Sequence, residues 1–148
     1  MKTRIISVLL AVIMLFGITS ASAAYVPTPE INPQASLQLS AYSITLEALG
    51  DGEMYIDFTV DGTTVMDKIG IFSLVIEERT PGGAWDDFDI LYGYTHPEFY
   101  MYNSVGYLGE YYFDGTVGND YRATIVVYAE DSRGCDTGEL TSVIARCT

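Results

Sequence analysis

The sequence predicts an all-β fold, an antiparallel two-sheet sandwich of about seven strands. Apolar and polar residues alternate over most of the chain, turn signals recur every 10–20 residues or so, and no segment after residue 35 has a helical period. A single sheet of this size would leave one apolar face in water, whereas two facing sheets cover it. A small closed barrel and an antiparallel meander are the alternatives.

The first two predicted strands follow the alternation of apolar side chains. Strand one covers 36–48, and its apolar side chains change parity at Ala41, which predicts a bulge or a change of sheet there. Strand two covers 53–60 and alternates so regularly that we expect one of its faces to be buried. Asp61 and Gly62 are expected to form the turn that ends it.

The middle of the chain is predicted to form a central strand and a hairpin. Residues 68–78 are apolar on both faces, which is typical of a strand covered on both sides. A Thr-Pro-Gly-Gly turn at 80–83 leads back into a strand at 85–92. An irregular stretch at 93–104 then precedes a strand at 105–113.

The last two predicted strands bear on the state of the two cysteines. Residues 121–129 show the clearest alternation in the chain, and a final strand is predicted at 137–146. One extended strand there would hold the Cα atoms of Cys135 and Cys147 on the order of 35–40 Å apart, whereas a disulfide requires less than about 7 Å. Unless the chain doubles back, we therefore expect the thiols to be free or to pair between molecules.

Residues 1–24 have the order of a secretory signal peptide. A basic start precedes an apolar run that is short for a membrane span, and Ala-Ser-Ala at 21–23 supplies the small residues needed for cleavage. Residues 25–35 hold three of the five prolines and are predicted to be an extended leader before a single domain at 36–148. We therefore expect bacterial export to the extracellular space, with a retained N-terminal anchor as the alternative.

The charge of the chain argues against two classes of partner. The sequence has 20 acidic and 7 basic residues, a net charge of −13. Removal of residues 1–24 would take away two basic residues and no acidic ones, so that the net charge would be −15. Such a surface repels phosphate backbones and anionic lipids, and we expect neither nucleic acid nor, after signal cleavage, a membrane as partner.

The sequence contains no recognisable catalytic motif. His96 is the only histidine, precedes Pro97 and is expected to lie in a loop. Neither Gly-x-Ser-x-Gly nor His-Glu-x-x-His occurs. We therefore expect no enzymatic activity and assign no catalytic residue; a hydrolase is the less favoured alternative.

An acidic cluster is the only sequence feature that suggests a metal. Asp86, Asp87 and Asp89 are close in sequence, and calcium prefers several such oxygens. The chain has no complete calcium-binding loop, however, and a charged edge strand that resists aggregation explains the cluster equally well. The sequence thus predicts no metal ligands and no cofactor, and a calcium-stabilised secreted module is the alternative hypothesis.

Tyrosine is the most distinctive residue of the composition. The chain has 12 tyrosines, and they are concentrated between residues 92 and 112, where strand parity cannot bury them all. Exposed tyrosine rings suit the binding of an extracellular protein or a glycan, although rings that only fill the core and cover the sheet are the alternative. The predicted ligand-binding residues are Tyr94, Tyr100, Tyr102, Tyr107 and Tyr112. Within this set, Tyr100, Tyr102 and a neighbouring strand tyrosine are expected to form one contiguous exposed patch.

One segment carries a resemblance to a known fold family. Residues 114–130 place a small polar turn before Tyr-x-Ala-x-Ile-x-Val-x-Ala, which resembles the entry to strand F of immunoglobulin-like and fibronectin type III sandwiches. The resemblance implies that Tyr121 is buried and that its hydroxyl bonds to an upstream carbonyl. Trp85 and the two cysteines depart from the antibody pattern, which leaves a divergent sandwich of this type.

A second resemblance covers the whole chain. The sequence is similar to short, signal-bearing secreted proteins of unknown function from gut Firmicutes. This similarity rests on Thr-Val-Met-Asp-Lys-Ile-Gly at 64–70, on a single tryptophan, and on Gly-x-x-Tyr-x-Ala at 118–123. This resemblance implies no activity.

Overall fold

A computed structural model describes residues 30–32 and 36–148 and shows an all-β chain. The predicted signal peptide at 1–24 lies outside the described residues. Of the predicted leader at 25–35, only Glu30–Asn32 is described, and these residues pair as a short strand with Tyr42–Ile44. Among the described residues, no helix has the length and apolar character needed to cross a membrane.

In the described residues, eight antiparallel strands form one hydrogen-bonded sheet. The strands are β1 (Glu30–Asn32), β2 (Leu39–Gly50), β3 (Glu53–Arg79), β4 (Asp86–Tyr92), β5 (Tyr100–Asp114), β6 (Asp120–Asp131), β7 (Gly134–Thr141) and β8 (Ala145–Arg146). A single turn of 3-10 helix, Pro97–Phe99, precedes β5. The sequence-based prediction of an antiparallel all-β fold is confirmed.

Strand β3 is 27 residues long and organises the sheet. Its first half pairs with β2 on one edge and β5 on the other, and its second half pairs mainly with β6 and β4. The prediction of a turn at 61–62 is wrong, because Asp61 pairs with Ala41 and with Gly106 at the same time. Between Asp61 and Met66 the register with β5 shifts, and this bulge lets the strand continue.

The sheet is curled, and its two ends meet over the core. β2 contacts β6, β7 and β8 without belonging to their hydrogen-bonded ladders. Gln38, just before β2, donates its backbone N–H to Asp136 Oδ2 of β7 at 3.0 Å. The backbone N–H of Gly52 donates to the carbonyl of the C-terminal residue Thr148 at 3.0 Å. These contacts hold the edges of the curled sheet together.

The side chains enclosed by the curl follow the predicted alternation closely. The bulge expected near Ala41 is confirmed by a register shift between Leu39 and Ala41. The regular strands also bury the predicted face, and their buried side chains are Met54, Ile56, Phe58 and Val60 in β3 and Tyr121, Ala123, Ile125, Val127 and Ala129 in β6. Burial of this apolar surface is the main favourable term in folding.

The C-terminal segment differs from the single strand predicted at 137–146. The strand β7 ends at Thr141, where Ser142 forms two hydrogen bonds with Ala123. The backbone N–H of Ser142 donates to the carbonyl of Ala123 at 2.8 Å, and the hydroxyl of Ser142 accepts from the N–H of Ala123 at 3.0 Å. After this interruption, β8 pairs with the beginning of β6. The single-strand prediction is therefore wrong.

Both cysteines are unbridged even though the strand that was expected to separate them is divided. Cys135 is exposed and pairs with Glu130 near the end of β6. Cys147 is buried, and its N–H donates to the carbonyl of Asn119 at the opposite end of β6. The length of β6, about 3.3 Å per residue, therefore separates the two thiols.

Tyr121 is buried as expected, but its hydroxyl has different partners from those predicted. The hydroxyl accepts a hydrogen bond from the backbone N–H of Thr116 at 2.7 Å and donates to Glu78 Oε1. Asn119 Nδ2 also donates to Glu78 Oε1, at 2.8 Å. The expectation of an upstream carbonyl acceptor is therefore wrong, because the hydroxyl donates its hydrogen bond to a carboxylate of β3 instead. Hydrogen bonds from Tyr121 and Asn119 lower the pKa of Glu78, and burial raises the pKa of Tyr121.

Substitution of Tyr121 by phenylalanine tests this arrangement. Removal of the hydroxyl leaves the Thr116 N–H without its acceptor and takes one donor from Glu78, so we expect the free energy of unfolding to fall by about 1–3 kcal/mol. The measurement is urea unfolding of Tyr121→Phe beside Tyr112→Phe, whose ring is half exposed. A loss no larger than that of the Tyr112→Phe control would contradict the role of the hydroxyl.

Candidate functional site: an aromatic groove

The strongest candidate site is a groove on the outer face of the sheet, with a volume of about 390 Å³. We call it the aromatic groove. Its lining residues are Lys68, Phe72, Gly93, Tyr94, Pro97, Tyr100, Tyr102 and Tyr128. They come from β3, β5 and β6 and from the connection between β4 and β5. Four of the eight are tyrosines, and one carries a positive charge.

Strand register explains why these residues meet. Lys68 lies directly opposite Tyr102 of β5. Gly70, two positions further and therefore on the same face, lies between Tyr100 of β5 and Tyr128 of β6. Because Gly70 has no side chain, the two flanking rings approach edge to face, with centroids 6.2 Å apart.

Two glycines allow the close approach of the segment before β5. At Gly70, φ is +154°, and an added Cβ would lie 1.9 Å from the carbonyl oxygen of Phe99. At Gly93, an added Cβ would lie 2.5 Å from Cε2 of the Tyr100 ring. A side chain at either position would therefore displace the backbone or the ring that shapes the groove.

Phe72 lies on the groove face of β3 because it is two positions beyond Gly70, and a register shift beside it changes the face of the residues that follow. Between Ile71 and Ser73 the pairing with β6 skips one residue. Ile71 and Leu74 remain buried on either side, while Phe72 is turned outward and is 47% exposed. The apolar character of 68–78, which predicted a central strand, thus includes one side chain that belongs to the surface. Its central position in the sheet is confirmed by partners on both edges.

Lys68 is the electrostatic centre of the aromatic groove. Its Nζ lies 3.7 Å from the ring centroid of Tyr100 and 5.4 Å from that of Tyr128, within the range of cation–π attraction. The other four basic side chains of the described chain each have a carboxylate partner. These are Arg79 with Asp120, Arg122 with Glu77, Arg133 with Asp131, and Arg146 with Asp120. Among the lysine and arginine side chains of residues 30–32 and 36–148, only that of Lys68 has no ion-pair partner.

The two phenols nearest to the Lys68 ammonium group, Tyr100 and Tyr128, have raised pKa values. Burial raises the pKa of Tyr100, and burial together with a hydrogen bond to Glu130 raises that of Tyr128. The Tyr128 hydroxyl donates to Glu130 Oε2 at 2.7 Å. Because unperturbed tyrosine already ionises only near pH 10, Tyr100 and Tyr128 are neutral at physiological pH.

The structure places the five predicted tyrosines in three environments. Tyr94 and Tyr102 are 75% and 60% exposed, and together with the half-buried Tyr100 they line the aromatic groove. Tyr112 lies further along β5 and is 50% exposed. It packs against Tyr55 of β3, with ring centroids 4.8 Å apart. Ten residues separate it from Tyr102, about 33 Å along an extended strand. Tyr112 therefore belongs to a different surface.

Tyr107 has to be removed from the predicted binding surface. Its ring is only 8% exposed and stacks on Phe58 with a centroid separation of 6.0 Å. Its hydroxyl donates to the carbonyl of Glu98 at 2.7 Å, and burial raises its pKa to about 12. Tyr107 fills the core and fixes the turn before β5.

Asp89 of the acidic cluster and the single histidine have local partners. Asp89 accepts hydrogen bonds from the N–H of Ile90 at 2.8 Å and from the Tyr111 hydroxyl at 3.2 Å. His96 Nδ1 lies 2.9 Å from Glu98 Oε1. The part of the chain that the structure describes contains no group of three or more His, Cys, Asp or Glu side chains arranged to hold a metal ion.

Trp85 lies between two arginines. The guanidinium carbons of Arg79 and Arg122 are each 4.5 Å from the Trp85 ring centroid. Both arginines are also paired with carboxylates across strands. This cluster binds the loop before β4 to the sheet and leaves neither arginine unpaired.

Comparison with known proteins does not assign the chain to a family. No protein-family model matches it. No curated protein is significantly similar to it in sequence. The resemblances to immunoglobulin-like and fibronectin type III domains and to secreted proteins of gut Firmicutes therefore gain no support from these comparisons.

Two solved structures are similar in part. The C-terminal domain of wzt is 15% identical, with 84% of this chain and 80% of that chain covered at a TM-score of 0.43. A family 76 glycoside hydrolase from a bovine Bacteroides thetaiotaomicron strain is 13% identical, with 74% of this chain and 20% of that chain covered at a TM-score of 0.34. At these levels neither likeness indicates a function for the chain.

Substitution of Gly93 by alanine tests how the groove is built. The added methyl meets the Tyr100 ring rather than rigid backbone, so we expect the fold to survive and the ring to move away from Lys68. Protons above a ring face are shielded, so the upfield NMR shift of the Lys68 ε-methylene should decrease. Gly82→Ala, where nothing lies within 4 Å of the added methyl, should leave that shift unchanged. An unaltered shift in Gly93→Ala would refute the packing of Tyr100 on Gly93.

Proposed function

We propose that the protein is an exported, non-catalytic β domain that binds a ligand through the aromatic groove. The observation that carries this proposal is the convergence of four tyrosines on the one unpaired ammonium group of the described chain. Exposed tyrosine rings provide apolar contact area with a hydrogen-bonding end and lose little conformational entropy on binding. Such a set of side chains is common in recognition sites.

The shape of the groove favours a small ligand or a short segment of a larger one. Its volume of about 390 Å³ falls within the range of small-molecule pockets. A standard protein–protein interface instead buries about 800 Å² on each partner. Of the two ligand classes expected from the tyrosines, protein or glycan, the concave groove is better matched to a glycan.

Export and a two-layer sandwich belong to the same proposal. The basic, apolar and small-residue order of 1–24 supports a signal peptide. The contacts of β2 with β6, β7 and β8 support two facing layers joined by β3. The hydrogen bond that the Tyr121 hydroxyl accepts from the backbone N–H of Thr116 supports an immunoglobulin- or fibronectin-like corner.

A binding comparison of two variants tests the proposed function. The purified protein is screened on a glycan array and in a pull-down from extracellular material, as wild type, as Tyr100→Ala/Tyr102→Ala, and as Tyr112→Ala. We expect the double variant to lose at least about tenfold in affinity, equal to about 1.4 kcal/mol, because it removes the exposed ring of Tyr102 and the ring against which Lys68 lies. Tyr112→Ala should bind as the wild type does, since its ring lies on another surface.

Two results would count against the proposal. If the double variant, shown to be folded by circular dichroism, bound every captured ligand as well as the wild type, the groove would not be the binding site. If the melting temperature rose on addition of calcium and fell with chelator, the alternative of a calcium-stabilised module would replace the proposal that no metal is needed.

A further inference from the structure

We propose that the ligand of the aromatic groove is a saccharide that carries one carboxylate, a uronic acid residue, and that the carboxylate binds Lys68. This inference rests on the proposed function and specifies its ligand. The argument depends on the state of Lys68, on the rings around it, and on the charge of the whole chain.

The ammonium group of Lys68 is available to a ligand. In the described chain no carboxylate lies within ion-pairing distance of it, although each arginine has such a partner. Among the residues that the structure describes, no buried side-chain nitrogen or oxygen lacks a hydrogen-bond partner. Lys68 Nζ has no acceptor there, so it is not buried and is reached by solvent. An anionic oxygen that replaces this solvent gains a charge-assisted hydrogen bond.

The rings beside Lys68 suit a sugar. A pyranose has C–H groups on its faces and hydroxyls around its rim, and the negative face of an aromatic ring attracts such C–H groups. Tyr94 and Tyr102 line the groove, and each exposes more than half of its surface to solvent. Their hydroxyls have no hydrogen-bond partner in the described part of the chain, so they are free to bind the hydroxyls of a sugar.

Charge decides between a cationic, a singly anionic and a polyanionic ligand. A ring cluster of this kind would attract a cation, but Lys68 already occupies the ring face of Tyr100 at 3.7 Å and would repel a second one. A polyanion would meet the net charge of −13, together with Glu98 and Glu130 beside the groove. One carboxylate, matched to one ammonium group, satisfies both constraints.

Matched disaccharides test the inference on the full protein by isothermal titration calorimetry. The probes are glucuronic acid–glucose and galacturonic acid–galactose disaccharides, each as the free acid and as the neutral methyl ester. We expect at least one acid to bind about tenfold or more tightly than its ester, equal to about 1.4 kcal/mol. Lys68→Met should bind acid and ester equally, whereas Lys68→Arg should keep a preference for the acid.

The outcomes separate this inference from the proposed function. Equal binding of acid and ester by the wild type, lost in Tyr100→Ala/Tyr102→Ala, would overturn the carboxylate contact and leave the groove as the binding site. Failure of all four probes to bind the wild type at millimolar concentration would overturn the uronic acid inference. The glycan array and the pull-down would still test whether the groove is a binding site. If Lys68→Met failed to fold, the comparison of acid with ester on the wild type would decide alone.

Discussion

The pairing of β3 along both of its edges, on either side of an interruption at 62–65, is the constraint on which the rest of the structure depends. Over 27 residues it pairs with β2, β4, β5 and β6. A strand with partners on both edges cannot reverse within that length, so it has to bend. Its bulges, at 61–66 and at 71–73, provide the bend and the change of face. The curl of the sheet and the enclosed core follow.

The aromatic groove is a consequence of the same strand. Lys68, Gly70 and Phe72 share one face of β3, and the bulge at 71–73 then returns Leu74 to the core. The absence of a side chain at Gly70 allows tyrosines from β5 and β6 to meet over the backbone. The groove thus combines a packing requirement, which is satisfied by glycine, with a surface of rings around one ammonium group.

Local patterns predicted the regular strands well, and long-range pairing decided the rest. The alternation at 121–129 and the parity change at Ala41 are properties of neighbouring residues, and both were predictable. Asp-Gly at 61–62 is a strong local turn signal, but simultaneous pairing with two distant strands overrides it. Tyr107 and Tyr102 are equally plausible surface residues in sequence, and only the packing against Phe58 separates them. Lys68 and Tyr128 were missed because strand order, unlike parity, cannot be read from spacing.

The most direct test of this account is a map of cross-strand nuclear Overhauser effects in the isotope-labelled protein. If β3 is continuous, Asp61 gives backbone contacts both to Ala41 and to Gly106, and Met66 gives contacts to Ser104. If the chain instead reverses at Asp61 and Gly62, Val60 contacts Thr63 across a tight turn, and the contacts from Asp61 to Gly106 are absent. That second pattern would contradict the curled sheet and the groove that it forms.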